Sequence, residues 1–318
     1  MISAICLVRM PPSSAYHAPV LAAETIELLG ASSRVLDCTL GGGGHSQALL
    51  EAGVQTVIGV DRDPDALAAA NQRLGSYATS GRFSAIQSNY ADVTGEPALE
   101  GLSFDGILLD LGISSHQVDA ESRGFTFRPG APLDMRMGPD AERSAADLLN
   151  EESVESLAQI FREFGDEPRA ERLAREIVRR RANHPFATSD DLVKAIRAVL
   201  GPKSGSGDFA RLFQAVRIAV NDELPGLERA LPALRDRLSP GGTMVVISYH
   251  SGEDRIAKNT FREWSASCIC PPKQPVCTCR GRPLGTTLTR RAVTASDDET
   301  AANPRARSAR LRAWRSAE

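Results

Sequence analysis

The sequence predicts an α/β protein: a doubly wound parallel sheet interrupted by an all-helical insert. Three observations lead there. Short apolar strands alternate with helical stretches as far as Asp110, the segment between Gln117 and Lys203 carries helical periodicity without a strand, and a strand followed by a helix resumes at Thr243.

Residues 1–15 hold Pro11, Pro12, Ser13 and Ser14 with no periodic pattern and read as a flexible arm. Apolar residues recur near helical spacing from Val20 to Leu29. Arg34-Val35-Leu36-Asp37 is a short strand running into Gly41 to Gly44, and a helix follows from His45 to about Ala52. Thr56 to Val60 is a second strand ending in Asp61; Asp63-Pro64 then opens a helix, because proline suits a first turn whose N–H has no partner anyway. Phe83 to Ile86 is a third strand. Phe104 to Asp110 is a fourth, apolar through its middle as a strand buried on both faces must be. Helical spacing then covers Ala145 to Phe164, Pro168 to Arg181 and Ser189 to Leu200, followed by a flexible connector, Lys203-Ser204-Gly205-Ser206-Gly207. Asp208 to Leu238 is again helical, with a break near Pro225. Thr243 to Ser248 is a strand after Pro240-Gly241-Gly242, Glu253 to Trp264 a helix, and Leu288 to Thr294 and Ala309 to Trp314 supply the last two strands. The expected division is a discontinuous sheet domain, residues 16–118 and 208–318, around a helical domain of residues 119–207.

The 318 residues carry 37 Lys+Arg against 40 Asp+Glu, a net charge of −3, which excludes a generically basic, sticky protein. A hydrophobic content of 42% is that of a folding chain rather than a disordered one. No apolar run approaches the roughly 18 residues that span a bilayer, and Ile2 to Val8 lacks a basic flank and a cleavage site, so a cytoplasmic address without a membrane partner is expected. Charge is unevenly placed, however. From Arg280 to Glu318 nine arginines face Asp297, Asp298, Glu299 and Glu318, so 9 − 4 = +5, a pattern suited to phosphate contacts. Arg179-Arg180-Arg181 closes a helix, whose C-terminus three cations complement.

The sharpest constellation is Asp37, the Gly41 to Gly44 run and Asp61. Glycines after a first strand let the backbone approach a ligand closely, the following helix offers free N–H groups, and an acidic residue about 20 positions later accepts both ribose hydroxyls. Dinucleotide sites want Gly-x-Gly-x-x-Gly, and Ser46 or Gln47 occupies the third glycine position. An acidic residue just before the glycines, here Asp37, suits the cationic sulfonium and ammonium of S-adenosyl-L-methionine instead. Tyr90 after the third strand and Asp110 after the fourth border the same crevice, outside the carboxyl ends of the strands.

The residues resemble a family. His17-Ala18-Pro19-Val20-Leu21, Asp37 to Ser46, Asp61-Arg62-Asp63-Pro64, Leu108 to Ser115, Arg123-Gly124-Phe125, Pro132 to Met137, Phe213 to Arg217, Ser248-Tyr249-His250-Ser251 and Asn303-Pro304-Arg305 look, in this order, like the bacterial 16S ribosomal RNA cytosine-N4 methyltransferases. The match runs from about Tyr16 to Arg312. The resemblance implies a class I, Rossmann-like methyltransferase sheet with an inserted helical substrate-recognition domain, S-adenosyl-L-methionine as donor, and a decoding-region cytosine of 16S rRNA, free or in the small ribosomal subunit, as acceptor. Carried over by position, the cofactor contacts are Gly43, Gly44, His45, Asp61, Tyr90, Asp110 and Gln117, with Tyr90 where an aromatic residue, often Phe, is expected. Two departures stand out. Gly252 replaces the leucine common before Glu253-Asp254-Arg255, for which a packing change is expected, and the cysteine-rich segment occurs in only part of the family.

Cytosine N4 is a poor nucleophile because its lone pair is delocalised into the ring, so acceptors aimed at its protons must localise that pair. Amino methyltransferases of DNA usually place Asp, Asn or Ser before Pro-Pro-aromatic after the fourth strand; Asp110-Leu111-Gly112-Ile113-Ser114-Ser115 departs from this, which argues against a DNA partner. The acceptor role falls to a carbonyl of that loop, to Ser114 or Ser115, or to His250; Ser114 and His250 are the first catalytic candidates. Finally, Cys268, Cys270, Cys277 and Cys279 offer four sulfurs on a proline-rich turn, open to a structural zinc, reduced thiols or a labile disulfide.

Overall fold

The computed structural model describes residues 19–271, 274, 276 and 278–318, and only the backbone of Ser115 and His116. The expected N-terminal arm and Cys277 lie outside the described residues.

Strands Arg34–Asp37 (β1), Thr56–Asp61 (β2), Phe83–Gln87 (β3), Phe104–Asp110 (β4) and Leu238–Ser248 (β5) run parallel, while Gly285–Thr287 (β6) and Arg310–Ser316 (β7) close one edge antiparallel. Their order is β3-β2-β1-β4-β5-β7-β6, a Rossmann-like sheet as expected. Alternation along each strand feeds two cores. Val35, Leu108, Val245 and Ile247 point to one face, and Leu36, Ile107, Leu109, Met244 and Val246 to the other.

Helices Ala22–Leu29 (α1), Gly44–Glu51 (α2), Pro64–Arg73 (α3) and Gly75–Thr79 (α4) accompany the first three strands. Leu29, Leu49 and Ala70 cover the first face. Between β4 and β5 lie Ser115–Asp119 (α5), Ala145–Glu151 (α6), Val154–Glu163 (α7), Ala170–Arg181 (α8), Ser189–Leu200 (α9), Ser206–Asn221 (α10) and Glu223–Arg235 (α11); Ser251–Trp264 (α12) and Asp297–Ala302 (α13) follow. Leu227, Leu231 and Leu234 of α11 and Phe261 and Trp264 of α12 cover the second face, against Trp314 of β7.

The segment between β4 and β5 has a core of its own. It gathers Leu149, Leu157, Phe161, Leu173, Ile177, Leu192 and Ile196. Phe209, Leu212, Phe213 and Val216 of α10 belong to that core as well, so by packing α10 goes with the insert although residues from 208 onward were expected with the sheet. The triple arginine is satisfied internally: Arg179 and Arg180 pair with Glu176, and Arg181 caps the carbonyls of Leu149 and Glu152 at 2.9 and 2.7 Å.

Four local expectations are corrected. The helix expected from Ala145 to Phe164 is two, because Glu152 leaves the helix (ψ 151°) and Ser153 starts α7 by accepting from Ser156 N–H. The chain turns at Asp222 (φ 52°), not at Pro225, which sits in the first turn of α11 where a missing N–H costs nothing. The connector is shorter than expected, since Asp208 accepts from Gly205 N–H and α10 starts at Ser206. The strand expected from Leu288 to Thr294 reduces to a single bridge, Val293 to Leu311, and β6 forms earlier. There Gly285 lets the backbone lie against Trp314: a Cβ would come within 2.4 Å of its ring. Among the described residues no helix is long and apolar enough to cross a membrane.

Candidate active site

Strand order reverses between β1 and β4, so the loops after them diverge and leave a crevice at the carboxyl ends of the strands. The first loop is the glycine run. Gly41 (φ 51°) and Gly43 (φ 78°) take the left-handed conformation that side chains disfavour, and a Cβ on Gly41 would stand in open space. Gly43 instead packs on Ala70 and Leu74, and its N–H closes the turn on Leu40 O at 2.9 Å. Asp37 does not face the crevice, contrary to expectation. It lies 1% exposed beneath the loop, accepting from Ser46 Oγ at 2.7 Å and Thr39 N at 3.3 Å; burial raises its pKa against those bonds. Its work is to pin the loop to the first turn of α2.

The crevice holds two adjoining cavities. The smaller, about 130 Å³, is bordered by Asp61, Ser88, Tyr90 and Gln117. Asp61 accepts from Gly41 N at 2.8 Å and Asp63 N at 2.9 Å, and burial outweighs both bonds to push its pKa up to about 6. Tyr90 donates its hydroxyl to Glu223 O at 3.1 Å, and burial raises its pKa. Gln117 is buried, donating to Asp63 Oδ2 at 2.8 Å and accepting from Ser114 N at 3.0 Å.

The larger cavity, about 350 Å³, is bordered by Gly44, His45, Arg73, Gln214, His250 and Arg305. Gly41, Asp110, Gly112, Ile113, Ser114 and Tyr249 border both cavities. Asp110 is therefore the carboxylate at the junction. Its Oδ1 accepts from Tyr249 Oη at 2.8 Å, its Oδ2 lies 3.4 Å from His45 Nε2, and its N–H is held by Thr39 Oγ1 at 2.6 Å. Burial pulls the His45 pKa down, but Asp110, with Asp37 and Glu299, outweighs it and lifts the imidazole above its ordinary value. Of the expected cofactor contacts, Asp61, Tyr90 and Gln117 thus meet at the smaller cavity, Gly44 and His45 at the larger, and Asp110 at both. Gly43 borders neither among the described residues.

The two catalytic candidates both reach the larger cavity. Ser114 Oγ accepts from Gln117 N at 3.2 Å, starting α5. His250 starts α12: its Nδ1 accepts from Gly252 N at 3.2 Å and its Nε2 lies 3.1 Å from Glu253 Oε1. Burial raises the Glu253 pKa, but His250, the Tyr249 amide and Arg217 more than offset it, so the carboxylate stays charged. A Cβ on Gly252 would press on Leu224 Cδ1 at 3.0 Å and the His250 ring at 3.1 Å, so the glycine gives the imidazole its resting place.

Several residues hold this wall together, and of these Arg217 also borders the larger cavity and Glu223 the smaller. Arg123 pairs with Asp63 at 3.0 Å and donates to the carbonyls of Arg136 and Met137, joining insert to sheet. Asn221 bonds Met137 N and Met135 O, and Arg217 and Glu223 form a buried bidentate pair at 2.9 and 2.8 Å. Asp254 pairs with Arg312 at 2.6 Å and with Arg310 at 3.4 Å, so part of the basic tail neutralises a buried carboxylate. Sequence reasoning missed Tyr249, Arg73 and Glu299 as neighbours of the crevice; only the position of Tyr249 at a strand tip offered a signal. Cys268, Cys270 and Cys279 cluster at the far end of α12 and border neither cavity.

A model of the MraW methylase family matches residues 14–317. The chain is 65% identical over 313 residues to the ribosomal RNA small subunit methyltransferase H of Gemmatimonas aurantiaca, covering 98% of this chain and 99% of that protein. It is 47% identical to the protein of the same name from Heliobacterium modesticaldum, covering 94% and 97%. Among solved structures, an rRNA methylase from Streptococcus thermophilus superposes with a TM-score of 0.41 at 10% identity, covering 93% of this chain and 94% of the other.

Proposed function

The chain belongs to the MraW methylase family, and we propose that it transfers the methyl group of S-adenosyl-L-methionine to the N4 amine of a cytosine in the decoding region of 16S rRNA. One observation carries the mechanism: two cavities meet at a single carboxylate, Asp110. The smaller cavity and the glycine loop suit the donor. Asp61 presents an acceptor for a ribose diol, Tyr90 an aromatic wall, and the open Cβ position of Gly41 leaves room for a ligand against the backbone. S-adenosyl-L-methionine bound there supplies an electrophilic methyl carbon on a sulfonium. The larger cavity receives the flipped base, which must leave any stack to reach the junction.

At the junction Asp110 accepts a hydrogen bond from the N4 amine and so favours a pyramidal, nucleophilic nitrogen. As the N4–C bond forms and the S–C bond breaks, the nitrogen becomes cationic and acidic, and its proton passes to the Asp110 carboxylate and on to solvent. Tyr249 donates to one oxygen of that carboxylate, and His45 Nε2 lies 3.4 Å from the other. Ser114 and His250 hold the base edge, His250 anchored by Glu253. Arg73 and Arg305 at the cavity, with exposed Arg290, Arg291 and Arg307, take backbone phosphates, and the helical insert recognises the surrounding RNA.

The experiment offers methyl-labelled donor to 16S rRNA, to small subunits lacking the modification, and to DNA. N4-methylcytidine in the RNA of either ribosomal substrate is expected. Label in DNA alone, on another atom of the base, or nowhere overturns the proposal.

A further inference from the structure

Among the described residues between α12 and β6, none belongs to a helix or strand. Structureless loops longer than about 12–15 residues are uncommon in compact domains, and an ordered one needs a source of order. Apolar burial does not supply it, since Ile269 is 45% and Val276 69% exposed. The base is closed from Leu284 N to Trp264 O at 2.8 Å, and Arg280 donates to Glu263 O at the end of α12 and to Ala266 O just beyond it. Beyond that base, the Sγ atoms of Cys268, Cys270 and Cys279 lie within 4.8 Å of one another.

We propose that these three cysteines hold a structural zinc ion that orders the loop on the C-terminal end of α12. The spacing fits. With Zn–S bonds of about 2.3 Å, two sulfurs of a tetrahedral site stand about 3.8 Å apart, and Cys268 Sγ and Cys279 Sγ are 3.8 Å apart. Backbone amides already point at the sulfurs as they do around bound thiolates: Ile269 N lies 3.3 Å from Cys279 Sγ, and the amides of Thr278 and Cys279 serve Cys270. The sequence adds a fourth thiol, Cys277, outside the described residues. The cluster borders neither cavity of the crevice, so the metal is a staple for the β6 edge and the methyl-transfer reading does not depend on it.

Metal analysis of protein purified under reducing conditions, without chelator or added metal, tests this. About one zinc per chain is expected, falling below about a tenth in the folded Cys268→Ser and Cys270→Ser variants. Cobalt exchange into the native protein gives the thiolate charge-transfer absorption of a tetrahedral site, which Cys270→Ser abolishes. Stripping the zinc speeds tryptic cleavage after Arg280 by about tenfold, as release of local order predicts, while methyl transfer stays within about twofold. Absence of zinc and of the cobalt spectrum in reduced, folded protein overturns the proposal, as do stoichiometric iron and full zinc retention in both variants.

Discussion

Asp61 sits at the smaller cavity with a pKa of about 6, raised by burial. In the role we propose for it, as acceptor for a diol, it serves best ionised, so donor affinity should fall as pH drops through 6, by about tenfold at pH 5 for one proton. Calorimetric titration of the donor across pH 5–8 checks this, and Asp61→Asn should weaken binding and flatten the profile. The stability sign is opposite: a carboxyl raised above its unfolded value binds protons more readily when folded, so this group stabilises the apo protein as pH falls from about 6 towards the unfolded value near 4. Ser114→Ala and His250→Ala should each lower the single-turnover rate about tenfold with donor affinity unchanged, because both residues hold the base; rapid-quench transfer reads the effect, and a double variant at the wild-type rate removes them from the site. At this scale the sequence was legible where spacing sets position, as with Asp61, twenty positions after Gly41, which accepts from the Gly41 N–H. It was silent on the hydrogen bond from Tyr249 to Asp110, which joins residues 139 positions apart through strand pairing.

Among the elements, the parallel strands were legible from their apolar runs, which are buried on both faces in the central strands β1 and β4, whereas the edge strand β3 is only partly buried. Their edges were not. The break between α6 and α7 depends on Ser153 capping the backbone, which competes with helical periodicity too locally for a pattern to register. Strand β6 depends on Gly285 lying under a tryptophan from another strand. The Arg123-Gly124 motif illustrates the same logic at a loop. Gly124 has φ 74°, and a Cβ there would fall 2.3 Å from Pro132 O. Gly124→Ala should therefore cost about 2–4 kcal/mol in urea unfolding. Gly130→Ala, also at positive φ but with nothing within 4 Å, isolates the backbone strain alone and should cost about 1 kcal/mol.

For the whole molecule, the expectation of a sheet interrupted by helices matches the seven-stranded order and the separate helical core. The charge balance reads differently in three dimensions. Of the nine arginines after residue 279, Arg312 and Arg310 pair with Asp254, and Arg280 caps α12, so the surface available to phosphate is narrower than the +5 count suggests. What composition hides, topology supplies: the reversal between β1 and β4 places two cavities side by side with Asp110 between them, the pair we propose for donor and base. Single-turnover methyl transfer to undermodified small subunits at saturating donor, comparing the native protein with Asp110→Asn, tests that claim most directly. With Asp110 as general base, a rate lower by about 10²–10⁴-fold is expected for the variant, with donor affinity within a few-fold; a variant that transfers at the native rate would contradict that role.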